Sequence, residues 1–146
     1  MKKILIILIL FLTTACQDYT EINDFAIISG IILDHNDKEY EMISELMINE
    51  QKTKIEVIKT NGKTIDECLS KISKLSNKDI FISHLKTLIL TENIINNKIN
   101  IYDYFLRSSK SKMNFDVYII NSKIKDEIFN INKKESSSEY IQKVMT

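Results

Sequence analysis

Residues 25–49 read FAIISGIILD, then HNDK, then EYEMISELMIN. Two runs rich in β-branched residues, separated by a short polar turn, predict an antiparallel hairpin, and the rest of the chain must be arranged around it. In the second run Tyr40, Met42, Ser44, Leu46 and Ile48 share one parity, opposite Glu41, Ile43, Glu45 and Met47. The first set is an apolar face with one polar exception, Ser44. The second is mixed, as expected when only one side of a sheet meets helices.

Downstream, EQKTKIEVIKTNGKT is polar, with a short strand expected at Ile55–Ile58 and a turn at Asn61-Gly62. Thr64 with Glu67 three residues later is a capping-box signature, and Ile65, Leu69, Ile72 and Leu75 follow at helical spacing. Cys68 lies on or near that apolar face and reads as a buried small hydrophobe rather than a reactive thiol. DIFISHLKTLIL ends in a strand, after which Thr91 is placed to cap a short helix from Glu92. IYDYFLRS, with Tyr102, Phe105 and Leu106 clustered, fits another helix. NFDVYIIN alternates Phe115, Val117 and Ile119 against Asn114, Asp116 and Tyr118, as a strand does, and SKIKDEIFNI follows as a helix with Ser122 at its cap. From Lys133 the chain is polar and its pattern ambiguous, with KKESSS readable at most as a brief exposed loop. Hairpin, helix, strand, short helices, strand and helix together predict an α+β fold, with a mixed, largely antiparallel sheet and helices packed against it.

Ahead of the hairpin, Lys2 and Lys3 precede an unbroken apolar run, Ile4 to Leu12, and then Thr13-Thr14-Ala15-Cys16. The run is shorter than the ~20 residues needed to span a bilayer and fits the core of a secretory signal. Small residues directly before the cysteine resemble a bacterial lipobox. That resemblance implies cleavage after Ala15 and a diacylglyceryl group on the thiol of Cys16, the new N-terminus. Thr13 stands where the motif usually has Leu, with Leu12 one place further back. The alternative is an ordinary signal peptide with an incidental cysteine. The expected organisation is a signal peptide over 1–15, the lipidated Cys16 with a polar connector over 16–24, and a single α+β domain over 25–146. At ~0.8 kcal/mol per buried methylene, two acyl chains hold a protein to a membrane where one does so only reversibly. No disulfide between Cys16 and Cys68 is inferred.

Twenty basic and twenty acidic residues balance, so bulk electrostatics gives no pointer to nucleic acid. Removing residues 1–15 takes Lys2 and Lys3 with it and no acidic residue, leaving the mature chain mildly acidic. With 44% hydrophobic and 27% charged residues the composition is globular, not disordered. Gly30 and Gly62 are the only glycines, so neither a phosphate-cradling loop nor a nucleophile elbow can be built. His35 and His84 are far apart, and no Cys-x-x-Cys occurs, so metal-ligand spacing is missing. His35 falls in the expected turn as a solvated residue; His84, before a strand and beside Lys86, reads as a hydrogen-bonded structural histidine. Asp126 and Glu127 share a helix with Lys123 and Lys125 and read as solvated surface charge, Lys123 to Glu127 being an i,i+4 pair. Arg107 complements a helix C-terminus. No catalytic residue, cofactor or metal site is expected, and the chain is not read as an enzyme.

Several stretches resemble the spore germination lipoproteins of the Ger(x)C family, the C subunits of germinant receptors in endospore-forming bacteria. ACQDYTEINDFAIISGIILD is similar to the start of those proteins, with Asp18, Glu21, Ile22 and Asp34 in matching places. GKTIDECLSKIS resembles the family's Gly-x-Thr-Ile helix start, and ISHLKTLILTENI its His-Leu-Lys strand and acidic helix start. YDYFLRSS resembles its Asp-hydrophobic-Leu-x-Arg segment, with Arg107 at the Arg. Gln17 stands for the usual Trp, and Ser108 for the usual acidic residue. Family members are several domains long, and the resemblance covers their N-terminal part. It implies a non-enzymatic subunit of a nutrient germinant receptor, carrying fatty acid such as palmitate at Cys16. The subunit would sit at the cell membrane, on the outer face of the spore inner membrane, beside integral membrane receptor subunits. The alternative is a cell-surface lipoprotein that binds a small ligand or a cell-wall component.

Overall fold

The two apolar runs become strands β1 (Phe25–Asn36) and β2 (Glu39–Met47), paired antiparallel from Ile27 opposite Met47 to Asn36 opposite Glu39. The computed structural model describes residues 25–36, 38–48, 54–97, 101, 104–105, 114–130 and 136–145. Cys16, Tyr102, Leu106 and Arg107 lie outside the described residues, as do Asp18, Glu21 and Ile22. His35 and Asn36 belong to the strand rather than to a turn. The hairpin carries a bulge: Ile28 faces Leu46 and Gly30 faces Glu45, which leaves Ser29 as the extra residue.

Strand β3 (Ile55–Gly62) pairs antiparallel with β2 along its whole length. It is longer than expected, and Asn61 and Gly62 form its end rather than a turn, opposite Glu41 and Tyr40. The glycine gives close approach there: a Cβ on Gly62 would lie 3.1 Å from both the backbone nitrogen and the Sγ of Cys68, a tight contact. On its other side β1 pairs parallel with two strands in turn. Its first residues meet β4 (Asp79–Phe81), and Gly30–Leu33 meet β5 (Thr87–Thr91), which pairs parallel with β6 (Asp116–Ile120). The order is β3-β2-β1-β5-β6, with β4 beside β1. Because the two long ladders are antiparallel, the sheet is mixed and largely antiparallel, as the sequence predicts.

Helix α1 (Ile65–Ser76) starts as the capping signature requires. Thr64 Oγ1 accepts from the Glu67 amide at 3.1 Å, and Glu67 reaches back to the amide of Lys63 at 2.9 Å, one residue earlier than in the usual box. The helix ends on Asn77 in the left-handed region, φ 53°. Its buried stripe is Ile65, Cys68 and Ile72; Leu75 falls off it and is 65% exposed. Cys68 is buried and unpaired to any other cysteine, and burial pushes its thiol pKa up, so it behaves as a small hydrophobe.

Short helix α2 (Glu92–Asn96) follows β5, but Thr91 makes no side-chain cap to it. After β6, Asn121 rather than Ser122 starts the next element: its Oδ1 accepts from the Lys123 amide at 3.0 Å. A 3₁₀ turn, Ser122–Ile124, then runs into α3 (Lys125–Ile128). The last element, α4 (Ser137–Met145), begins inside the serine run that reads from sequence as an exposed loop. Ser136, Ser137 and Ser138 are buried.

The two faces of the sheet differ in chemistry. One packs Ile28, Ile31, Leu33, Met42, Leu46, Leu88 and Leu90 against Ile65, Cys68 and Ile72 of α1 and against Ile101 and Phe105. The other carries a small cluster, Ile32, Ile43, Ile89 and Phe129, with Ile128 of α3 and Ile141 of α4 packed against it. Both faces are therefore covered, and the mixed face of β2 is interior rather than solvated. Gly30 permits this second layer to sit down, since a Cβ there would come within 2.8 Å of Phe129 Cζ and 3.0 Å of Ser138 Cβ. Gly30→Ala is expected to force Phe129 and α4 outward and to cost about 1–3 kcal/mol, read as a lowered urea midpoint. An unchanged midpoint would mean that the layer adjusts freely.

Candidate functional site

The covered face beneath α3 and α4 holds two polar clusters on either side of its small apolar seam. The first centres on Glu45, which is fully buried. The bulge in β1 turns Ser29 toward it, and Ser29 Oγ donates to Glu45 Oε2 at 2.8 Å. The start of α4 supplies the rest. Ser136 Oγ donates to Oε2 at 2.7 Å, the Ser138 hydroxyl donates to it as well, and the Ser138 amide does so at 3.1 Å. The Ser137 amide donates to Oε1 at 2.6 Å. A carboxylate set against the first amides of a helix meets both unsatisfied N–H groups and the positive end of the helix dipole. Ser136 also caps its own helix, accepting weakly from the Glu139 amide at 3.4 Å, and Thr87 Oγ1 donates to Ser138 O at 3.3 Å.

The second cluster is a chain of alternating charge. Asp34, buried near the end of β1, accepts at Oδ1 from the His35 amide at 2.8 Å, Thr91 Oγ1 at 2.5 Å and Asn93 Nδ2 at 3.0 Å. Thr91 thus turns its hydroxyl to Asp34, and makes no side-chain cap to α2. The Lys125 ammonium pairs with Asp34 Oδ2 and lies 2.7 Å from Glu41 Oε1. Lys59 on β3 continues the chain, 3.1 Å from Glu41 and 2.8 Å from Asp126 of α3. Burial pushes the Asp34 carboxyl up, but the bonds from Lys125, Thr91 and Asn93 outweigh it and hold the group below its ordinary value. For Lys125, burial pulls down while Asp34 and Glu41 together raise it above the usual lysine range.

The residues singled out in the sequence are not gathered into one site. Asp34 alone sits at a centre. Asp126 is exposed, as expected of surface charge, and pairs there with Lys59. His35 is half-buried, edge-on to Tyr40 at 4.7 Å, and its Nδ1 finds no partner among the described residues. His84 is exposed, with its ring 5.7 Å from that of Phe81, and among the described residues it makes no hydrogen bond of the kind expected for it. Lys86 reaches Glu139 of α4. Among the described residues no cluster of His, Cys, Asp and Glu is disposed to hold a metal ion, and no helix is long and apolar enough to cross a membrane. Glu45, Ser29 and the three serines carried no chemical motif. Their one legible sign was the Ser136-x-x-Glu139 spacing of a capping box.

These charges spend their bonds joining β1, β2 and β3 to α3 and α4. What they define is a sheet-and-helix domain held together by buried carboxylate crosslinks. The chain belongs to the family described as the spore germination protein N-terminal domain, whose profile matches residues 18–146. It is 28% identical over 135 residues to spore germination protein A3 of Bacillus subtilis (strain 168), a match covering 83% of this chain and 35% of that protein. The chain therefore spans about a third of the length of that relative. No solved structure matches it. The resemblance seen in the four quoted stretches is thus borne out at the level of the family.

Proposed function

We propose that the chain is a lipid-anchored, non-enzymatic subunit of a nutrient germinant receptor. Two acyl chains on Cys16 hold it at the outer face of the spore inner membrane, beside integral membrane subunits. The observation that carries this reading is the family match over 18–146, which begins two residues beyond the lipobox-like cysteine. The buried carboxylates support the non-enzymatic part, since Glu45 and Asp34 are engaged by donors from several elements rather than turned toward a substrate.

Cys16→Ala is expected to abolish fatty-acid labelling and to move the protein from the membrane to the soluble fraction. Spores lacking the gene are expected to release dipicolinic acid poorly in response to nutrients, with rescue by the wild-type gene and not by Cys16→Ala. A mutant that still carries lipid would overturn the anchor. Rescue by both forms would separate germination from anchoring.

A further inference from the structure

Strand β1 begins at Phe25, and its first three residues pair with β4, a three-residue strand beside the main ladder. This corner carries a row of aromatic rings. Phe25 is 5.9 Å from Phe81, and Phe81 is 5.7 Å from His84. Phe25 is half-buried, while Phe81 and His84 are exposed. Two phenyl rings and an imidazole, apolar in body with a polar outer edge, suit the boundary between lipid headgroups and acyl chains.

The length of chain leading to this corner says what covers it. From Cys16 to Phe25 are nine Cα–Cα steps, at most about 32 Å when fully stretched. Strand β1 then runs 12 residues to Asn36, a further ~36 Å at ~3.3 Å per residue. Even a taut tether along the sheet falls short of the hairpin tip. By chain length, the Phe25 corner is the end that a lipid on Cys16 brings to the bilayer.

We infer that the Phe25–Phe81–His84 corner is a membrane-contact surface that orients the domain with its hairpin tip away from the bilayer. The inference rests on the anchored reading above. Two acyl chains already supply the binding, so the corner sets posture rather than affinity.

The test uses the full lipidated chain in vesicles of equal parts phosphatidylethanolamine and phosphatidylglycerol. An environment-sensitive fluorophore is placed at His84→Cys or, at the hairpin tip, at Lys38→Cys. The unsubstituted chain serves as the labelling blank, since Cys68 is buried. Nitroxide-headgroup lipid is expected to quench the label at 84 severalfold more than the label at 38, and Phe81→Asp is expected to erase that difference. Equal quenching at the two positions would overturn the inference. So would a label at 84 shielded from both nitroxide lipid and aqueous iodide, which would show a second copy of the chain covering the corner. A chain that carries no fatty acid and washes off the vesicles would instead sink the anchored reading, and the orientation with it. The labelling result tells the two failures apart.

Discussion

Replacing Glu45 with alanine is expected to cost the fold about 3–5 kcal/mol, a fifth or more of the ~5–15 kcal/mol that holds a typical domain together. The substitution takes the shared acceptor from the hydroxyls of Ser29, Ser136 and Ser138 and from the amides of Ser137 and Ser138. Each buried donor left unmet costs ~1–3 kcal/mol. The penalties do not simply add, because Ser136 and Ser138 already lie 2.7 Å apart and can satisfy each other, and water can enter the space left behind. Two of the donors are backbone amides that no side-chain truncation removes, so an apolar replacement is not expected to match the carboxylate. Glu45→Gln keeps the shape but turns an amide donor toward one of these donors, and should fall between alanine and wild type. Ser138→Ala should cost ~1 kcal/mol. Loss should begin locally: hydrogen exchange across 137–145 is expected to speed up before the β1–β2 ladder loosens. If Glu45→Ala shifts the urea midpoint no further than Ser138→Ala, the crosslink is not what seats α4.

Where the sequence was legible, the partners were close in the chain. The hairpin could be read from two apolar runs and the polar residues between them, and α1 from Thr64 and Glu67, whose bonds span three and four residues. The serine run was misread because serine beside lysine and glutamate looks like a loop unless its acceptor is known. That acceptor lies 91 to 93 residues away, on a strand whose exposed-looking face is covered by the very helix in question. The same distance hid the partner of Asp34, since Lys125 is 91 residues on. Asn61-Gly62 looked like a turn because that dipeptide favours positive φ. Here no glycine has it, and Gly62 instead lies close under the Sγ and backbone of Cys68. Local chemistry thus set the elements, and long-range polar pairing set which of them are buried.

Asp34 should show the second large effect, and one with a pH signature. Asp34→Asn is expected to cost about 2–4 kcal/mol near neutrality. It removes the charge facing Lys125, whose side chain is only 13% exposed and would keep Glu41 as its acidic neighbour. The folded-state pKa of Asp34 lies below its ordinary value of 3.8, so the native state prefers the carboxylate. That contribution is fully present above pH 3.8 and is lost as pH falls through the lower folded value. Lys125 mirrors it: its pKa is raised above 10.5, so its share is complete below that value and fades as pH climbs beyond it. Wild type and Asp34→Asn should therefore differ most on the plateau between these limits, and their urea midpoints should converge below pH 3.8. The acid limb of the mutant should be the shallower one, because it has one fewer carboxylate whose protonation unfolds the chain. A gap between the two proteins that stays constant through the acid limb would mean that Asp34 holds α2 and α3 by shape and hydrogen bonding alone. The ion pair with Lys125 would then contribute nothing to the fold.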